Sequence, residues 1–351
     1  MHVPDGFIDA PTSAVTGVVA AGALAVSLRG ARSELEEKAA PLAGLVAAFI
    51  FAVQMLNFPV AAGTSGHLLG GALAAILVGP YTGVLCVSVV LLMQGVLFAD
   101  GGLTALGVNI TDMALVTTVV SYAVFRALLT VLPRKRRSVT IASFVAALVS
   151  VPAASVAFTL IYAVGGTTDV SLGKVATAMI GVHVLIGIGE AVITALTVSA
   201  VIAVRPDLVH GARGLRQRLK LRVNGALVDA PPAPTALTAP VTARTSRRAL
   251  WVTGLVTSLV LAGFVSFYAS ANPDGLEKVA HDQGIDRKTE KHATAGSPLA
   301  EYGVKDVSDA RLSGGLAGVI GVGVTVVAGS AVFRVVRRRR DTEVSPVNTG
   351  L

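Results

Sequence analysis

Nine apolar stretches separated by polar links constrain this chain more than any other feature of it. They run over residues 12–28, 41–58, 67–79, 81–99, 105–131, 139–163, 174–204, 250–269 and 315–334. Most match the thickness of a bilayer's hydrocarbon core when wound as helix. Backbone in lipid must satisfy its own hydrogen bonds, so such stretches predict an all-α polytopic membrane protein of about nine spans. Composition agrees, because 53% hydrophobic and 14% charged residues leave more apolar surface than a soluble fold of 351 residues would bury. The third stretch is short, carries Gly70 and Gly71 and stops at Gly79-Pro80. Short, glycine-interrupted segments of this kind border binding sites in transporters.

Basic residues set the expected orientation. With the N-terminus outside and the C-terminus cytoplasmic, the inward-facing links hold 21 of the 29 Lys and Arg residues, and the outward-facing links hold seven. The +8 net charge is therefore read as a topology signal of a cell-membrane protein, not as a nucleic-acid footprint; one Trp and 5% aromatic residues offer no stacking platform. The single Cys86 excludes a disulfide framework and a cysteine-rich metal site. Residues 226–249 are rich in Pro, Ala and Thr and read as a cytoplasmic linker. They divide a seven-span unit, 1–225, from a two-span unit, 250–340, with a tail at 341–351.

The chain opens Met1-His2-Val3-Pro4-Asp5-Gly6-Phe7, without the charge and apolar run of a secretory signal. A histidine in second position should leave Met1 in place, because removal of the initiator generally needs a small second residue. The Met1 amine, the His2 amide and the His2 imidazole can then close a five- and a six-membered chelate ring on one metal ion. Pro4 and Gly6 make a turn able to hold that terminus. A lone terminal histidine is more often solvated and idle, so other residues must support the reading.

His67, at the end of Gly63-Thr64-Ser65-Gly66-His67, lies in an outside link and could supply a fourth nitrogen, the alternative being that it caps a helix. Four nitrogens in a plane suit Ni2+ and accommodate Co2+, whereas the lack of thiolates disfavours Zn2+ and Cu(I). The outside loop 98–109, with Asp100 and Asn109, could fold over such a site and orient its imidazoles, or could be plain turn chemistry. Gln54, Asn57, Gln94, Asp112, His183 and Glu190 are polar residues within spans, expensive in hydrocarbon and expected to face the bundle interior. His183 and Glu190 are seven apart on one helix face; His183 is expected to support the site rather than ligate. Small residues four apart, Gly17/Ala21/Ala25 and Gly44/Ala48/Ala52, allow close helix packing within the chain or against another subunit. No phosphate-binding G-x-x-x-x-G-K-[ST] occurs, so the chain has no ATP site of its own, and no H-E-x-x-H is present.

Four ordered segments, MHVPDGF at 1–7, QMLNFPVAAGTSGHLLGG at 54–71, LFADGGLTALGVNITDMA at 97–114 and GVHVLIGIGEAVIT at 181–194, resemble the CbiM/NikM family. These are substrate-binding S-components of energy-coupling-factor (ECF) importers for cobalt and nickel, and they are not enzymes. Asn272-Pro273-Asp274-Gly275-Leu276-Glu277 resembles the companion CbiN/NikN subunit, two spans around a PDGLE loop, so the chain looks like a natural fusion of the two. The resemblance implies a seven-helix S-component bundle followed by a two-helix module. It implies Co2+ or Ni2+ as transported substrate, held by Met1, His2 and His67, with Ser65, Asp100, Asn109, His183 and Glu190 as supporting candidates. It also implies a membrane T-component of CbiQ/NikQ type and an ATPase pair of CbiO/NikO type, with the S-component toppling in the bilayer as ATP binds. His281 and His292 have no place in that pattern.

Two rival readings differ in class. Gly63-Thr64-Ser65-Gly66 has the G-x-S-G form of rhomboid intramembrane proteases, with His183 as a base, but that reading leaves His2 and His67 unexplained. An ATPase-independent divalent cation carrier or channel would instead use Asp112 and Glu190 along its path.

Overall fold

The computed structural model describes residues 1–35, 40–61, 63–215, 220–223, 226–229 and 247–344. Its helices are α1 (Ala10–Glu34), α2 (Ala40–Gln54), α3 (Gly71–Val78), α4 (Pro80–Met93), α5 (Leu106–Asn109), α6 (Thr117–Val131), α7 (Arg136–Gly165), α8 (Leu172–Val204), α9 (Arg247–Gly263), α10 (Gly275–Gln283) and α11 (Ala310–Val344). Two short hairpins accompany them, β1 (Phe58–Pro59) with β2 (Ser65–Gly66), and β3 (Lys220–Val223) with β4 (Ala226–Asp229). π-helical turns at Gln94–Phe98 and Ile110–Val116 extend α4 and join α5 to α6. The chain is a helical, multi-pass membrane protein.

Every one of the nine apolar stretches contains a helix, but they are unequal. Among the described residues, seven helices are long and apolar enough to cross a membrane; Leu42–Gln54 is shorter, and α3 has eight residues. Run length in the sequence hides the breaks responsible. The backbone leaves the helix at Met55, turns through the β1–β2 hairpin, and re-enters helix at Gly70 in the left-handed region (φ 89°). Gly79-Pro80 then ends α3 and starts α4 within one residue, the φ-restricted ring sitting where the missing N–H costs nothing. Of the expected linker, 226–229 forms β4 and 247–249 opens α9; residues 230–246, like 345–351 of the tail, lie outside the described residues.

Local chemistry fixes the helix ends. Asp9 Oδ1 caps α1 by accepting from Thr12 N at 2.8 Å. At the other end of α1, the buried Glu34 carboxylate receives Thr82 N (2.7 Å), Thr82 Oγ1 (2.8 Å) and Tyr81 N (3.2 Å), so it caps α4 from outside the helix. In α7, Pro152 deprives the Leu148 carbonyl of its helical donor, and Gly187 of α8 lies against that carbonyl; α7 and α8 form the most extensive helix pair.

The second unit docks on the first through α11, which packs against α2 and α9. Small residues make this possible. A Cβ on Gly44 would lie 2.5 Å from Ser330 Oγ, and Gly329 approaches both Gly44 and Ala47. The small-residue row on α2 therefore serves packing within the chain. A continuous buried core runs from Met1 and Phe7 through Phe51, Phe98 and Phe158 to Phe333, while Val15, Val18, Leu160, Leu196 and Val327 form part of the exposed apolar flank.

Candidate metal centre

The first seven residues are held down on several sides. Asn109, at the end of α5, grips Val3 twice: its Oδ1 accepts from Val3 N (2.7 Å) and its Nδ2 donates to Val3 O (3.1 Å). Gly102 N also donates to Val3 O at 2.9 Å. Asp5 Oδ1 receives Thr104 N (2.8 Å) and Thr104 Oγ1 (2.5 Å). Thr167 Oγ1 reaches Gly6 O at 2.7 Å, and Asp9 N donates to Gly165 O at 2.7 Å. The 98–109 loop thus lies directly over the terminus, with Gly101 against His2 and Gly102 against Asp5.

This anchoring buries the terminal groups together. The Met1 amine lies 2.7 Å from His67 Nε2, and the His2 and His67 rings stack with centroids 5.1 Å apart at an interplanar angle of 20°. A third group arrives from the second unit, as Asp274 Oδ2 stands 2.5 Å from the Met1 amine and 3.5 Å from His67 Nε2. His2, His67 and Asp274 each offer a donor atom within 4.8 Å of the others.

Hydrogen bonds on the far side of each ring assign the free nitrogens. His67 Nδ1 donates to Leu68 O at 3.0 Å, which leaves the Nε2 lone pair facing Met1. His2 Nε2 donates to Gln94 Oε1 at 3.1 Å, which leaves Nδ1, the nitrogen that a six-membered ring with the His2 amide requires. His2 Nδ1 lies 3.2 Å from Asp100 Oδ1, and a cation or proton between them satisfies both lone pairs. Among the described residues the His2 amide donates to no acceptor. Metal–nitrogen bonds of about 2.0 Å at right angles separate their nitrogens by about 2.8 Å, close to the observed spacing of the amine and His67 Nε2.

Electrostatics favour a neutral His2 imidazole beside an ionised Asp274 carboxylate. Burial holds the His2 imidazole down at about 4, against the pull of Asp100 and with help from the terminal ammonium. Burial opposes the Asp274 carboxylate, but the terminal ammonium beside it outweighs that cost and holds its carboxyl well below the usual range.

The other predicted residues occupy distinct places. The Glu190 carboxylate receives Leu69 N (2.7 Å) and Gly70 N (3.1 Å), while Gln54 Nε2 donates to Leu69 O (3.0 Å). Together they fix the backbone that presents His67. Ser65 Oγ donates to Asn272 O at 2.7 Å and Ser65 N to Pro273 O at 2.8 Å, so its hydroxyl is committed to the PDGLE loop rather than to an imidazole. His183 Nδ1 bonds Met179 O at 2.7 Å, and its ring edge packs beside Gly275. Asp100 Oδ2 accepts from Tyr302 at 2.6 Å. Asp112 is fully buried without a hydrogen-bond partner among the described residues. His292 Nε2, whose role the sequence left open, donates to Gly101 O at 3.1 Å, and His281 pairs with Asp286 at 3.0 Å.

Sequence reasoning missed Asp274 as a site residue. Its one signal was an acidic residue three before Glu277 at a helix start, which marks a cap but not what the second carboxylate oxygen touches.

Residues 2–208 match the family described as the cobalt uptake substrate-specific transmembrane region, CbiM, and residues 248–338 match the PDGLE domain. A protein of Archaeoglobus fulgidus with a provisional name as a fused nickel transport protein, NikMN, is 38% identical over 234 residues, 66% of this chain and 75% of that one. The cobalt transport protein CbiM of Sorangium cellulosum is 32% identical over 223 residues, 62% of this chain and 97% of that one. The crystal structure of a truncated transition metal transporter superposes with a TM-score of 0.51 at 30% identity, over 58% of this chain and 99% of that one. With more than half its length inside the first of these families and most of the remainder inside the second, the chain is a member of the CbiM family of metal transport proteins that carries a PDGLE domain on the same polypeptide.

Proposed function

We propose that this protein is the substrate-specific component of an ECF-type importer, and that it captures Co2+ or Ni2+ outside the cell. The ion is held by the Met1 amine, the His2 amide and Nδ1, and His67 Nε2. The observation that carries this reading is the burial of the Met1 amine 2.7 Å from His67 Nε2 with the His2 ring stacked alongside. The family match and the transport names of the relatives support the same substrate class.

The chain's own residues supply binding and orientation. Asn109, Thr104 and Thr167 fix the terminus; Glu190 and Gln54 fix His67; Gln94 and the Leu68 carbonyl select the ring nitrogens. Binding requires loss of a proton from the amine and from the His2 amide, so acid weakens it. Delivery inward is assigned to a T-component of CbiQ/NikQ type and an ATPase pair of CbiO/NikO type, and the basic-residue bias supports an outward-facing terminus.

Radiolabelled Co2+ and Ni2+ uptake, in cells lacking other importers for these ions, tests the reading. Uptake should require both partners and disappear in His2→Ala. Uptake that persists without partners would move the protein to the carrier class, and uptake unaffected by His2→Ala would remove the proposed site.

A further inference from the structure

The PDGLE sequence carries the name of a domain, and each of its five residues has a definable task here. Pro273 offers its carbonyl to Ser65 N at 2.8 Å. Gly275 is packed so tightly on α8 that a Cβ would lie 2.8 Å from both Ile186 Cδ1 and Val182 Cγ1. Leu276 is buried. Glu277 closes a capping box with Asp274, its N–H donating to Asp274 Oδ1 at 2.8 Å. Asp274 is therefore divided: Oδ1 caps α10, which leaves Oδ2 for another purpose.

That second oxygen points at the Met1 amine and His67 Nε2, 2.5 and 3.5 Å away, while those two nitrogens are 2.7 Å apart. Three such separations allow a single point to lie about 2 Å from all three atoms, an ordinary metal–ligand bond length. Charge leads to the same place. A divalent ion bound through a deprotonated amide and three neutral nitrogens keeps one positive charge in a buried site, where an unpaired charge is costly. One carboxylate neutralises it.

We propose that Asp274 is a direct fifth ligand of the transported ion, supplied by the second unit to the four nitrogens of the first. The proposal rests on the four-nitrogen reading above and adds a donor to it. It gives the PDGLE unit a chemical part in loading: the ion's site is complete only when α10 is seated on α8 with Ser65 gripping the loop. In the ion-free protein the same oxygen pairs with the Met1 amine.

The test uses the purified full chain with its native N-terminus, loaded with Ni2+, as wild type, Asp274→Asn, Asp274→Glu and His67→Ala. Asn caps helices as well as Asp, so α10 should survive while the ligating oxygen is lost. Ni K-edge X-ray absorption distinguishes a four-coordinate plane, which shows a sharp 1s→4p feature, from a five-coordinate ion, which does not. The wild type should lack that feature and Asp274→Asn should show it, with Ni2+ affinity weaker by at least about tenfold, the low end of what losing even an outer partner costs. If Asp274→Asn binds no ion, recovery of binding by Asp274→Glu supports ligation, and failure of both variants overturns it in favour of a purely structural cap. Spectra and affinity unchanged in Asp274→Asn, with binding abolished by His67→Ala, would refute the fifth ligand and leave the four-nitrogen site standing. Wild-type binding by His67→Ala would instead defeat the four-nitrogen reading itself.

Discussion

Each candidate donor keeps its lone pair because a neighbour takes up the other side of the same group. His67 spends Nδ1 on Leu68 O, His2 spends Nε2 on Gln94, and Asp274 spends Oδ1 on its helix. The second partner is a residue that membrane energetics single out, since a Gln in a span is retained only where it has something to hold. Gln94, Gln54 and Glu190 were legible in the sequence for that reason. Asp274 was not, because 273 residues separate it from Met1 and no local spacing reports such a contact. A pH effect belongs at this scale. His2 is docked neutral, its pKa lowered from 6.5 to about 4. Protons therefore favour the undocked terminus as pH falls from 6.5 towards 4, and the stabilisation present above that window is lost through it, up to about 3 kcal/mol at 1.36 kcal/mol per unit. The hydrogen-exchange protection factor of the Val3 amide in ion-free protein should fall across this window; a constant factor would show that His2 does not govern docking.

Elements that depart from regular helix build the site. Both π-helical turns flank the terminus, one carrying Gln94 and the other following Asn109, as expected of insertions kept where function needs a side chain re-aimed. The loop between them closes by glycine. A Cβ on Gly102 would lie 2.3 Å from Asp5 N, a backbone atom that cannot swing aside. Gly102→Ala should therefore displace the terminal segment and weaken Ni2+ binding by tenfold or more, measured by titration calorimetry. Gly173→Ala, with open space around it, should leave binding unchanged. The sequence announced this loop by its density of glycine and acceptors, but turn chemistry explained those residues equally well. Only Asn109 bonded to Val3 and Gly102 seated on Asp5 distinguish a lid from a turn.

At the scale of the molecule, hydropathy gave away the fold class, and the number of helices that cross the bilayer was less legible. Apolar runs at 41–58 and 67–79 look like spans because hydropathy records residue type, while the breaks at Met55, Gly70 and Gly79-Pro80 are backbone events. A Pro-, Ala- and Thr-rich interval suggested two units, but the contacts between the segments on either side of it were not legible. Ser65 to Asn272, His292 to Gly101 and Tyr302 to Asp100 tie the second unit's loop to the segments that carry His67 and cover His2. Phe51, Phe98 and Tyr302 form an aromatic stack beneath the same contact, Phe98 and Tyr302 at 4.9 Å. The terminal amine is the part of the account with fewest substitutes, since no side chain can replace it. Titration calorimetry of Ni2+ and Co2+ binding should therefore compare two full chains, one starting at Met1 and one with a single glycine before it. Binding lost in the extended chain is the predicted result, because the added residue acylates the amine and shifts the chelate. Equal affinity in the two would contradict an ion held by the Met1 amine.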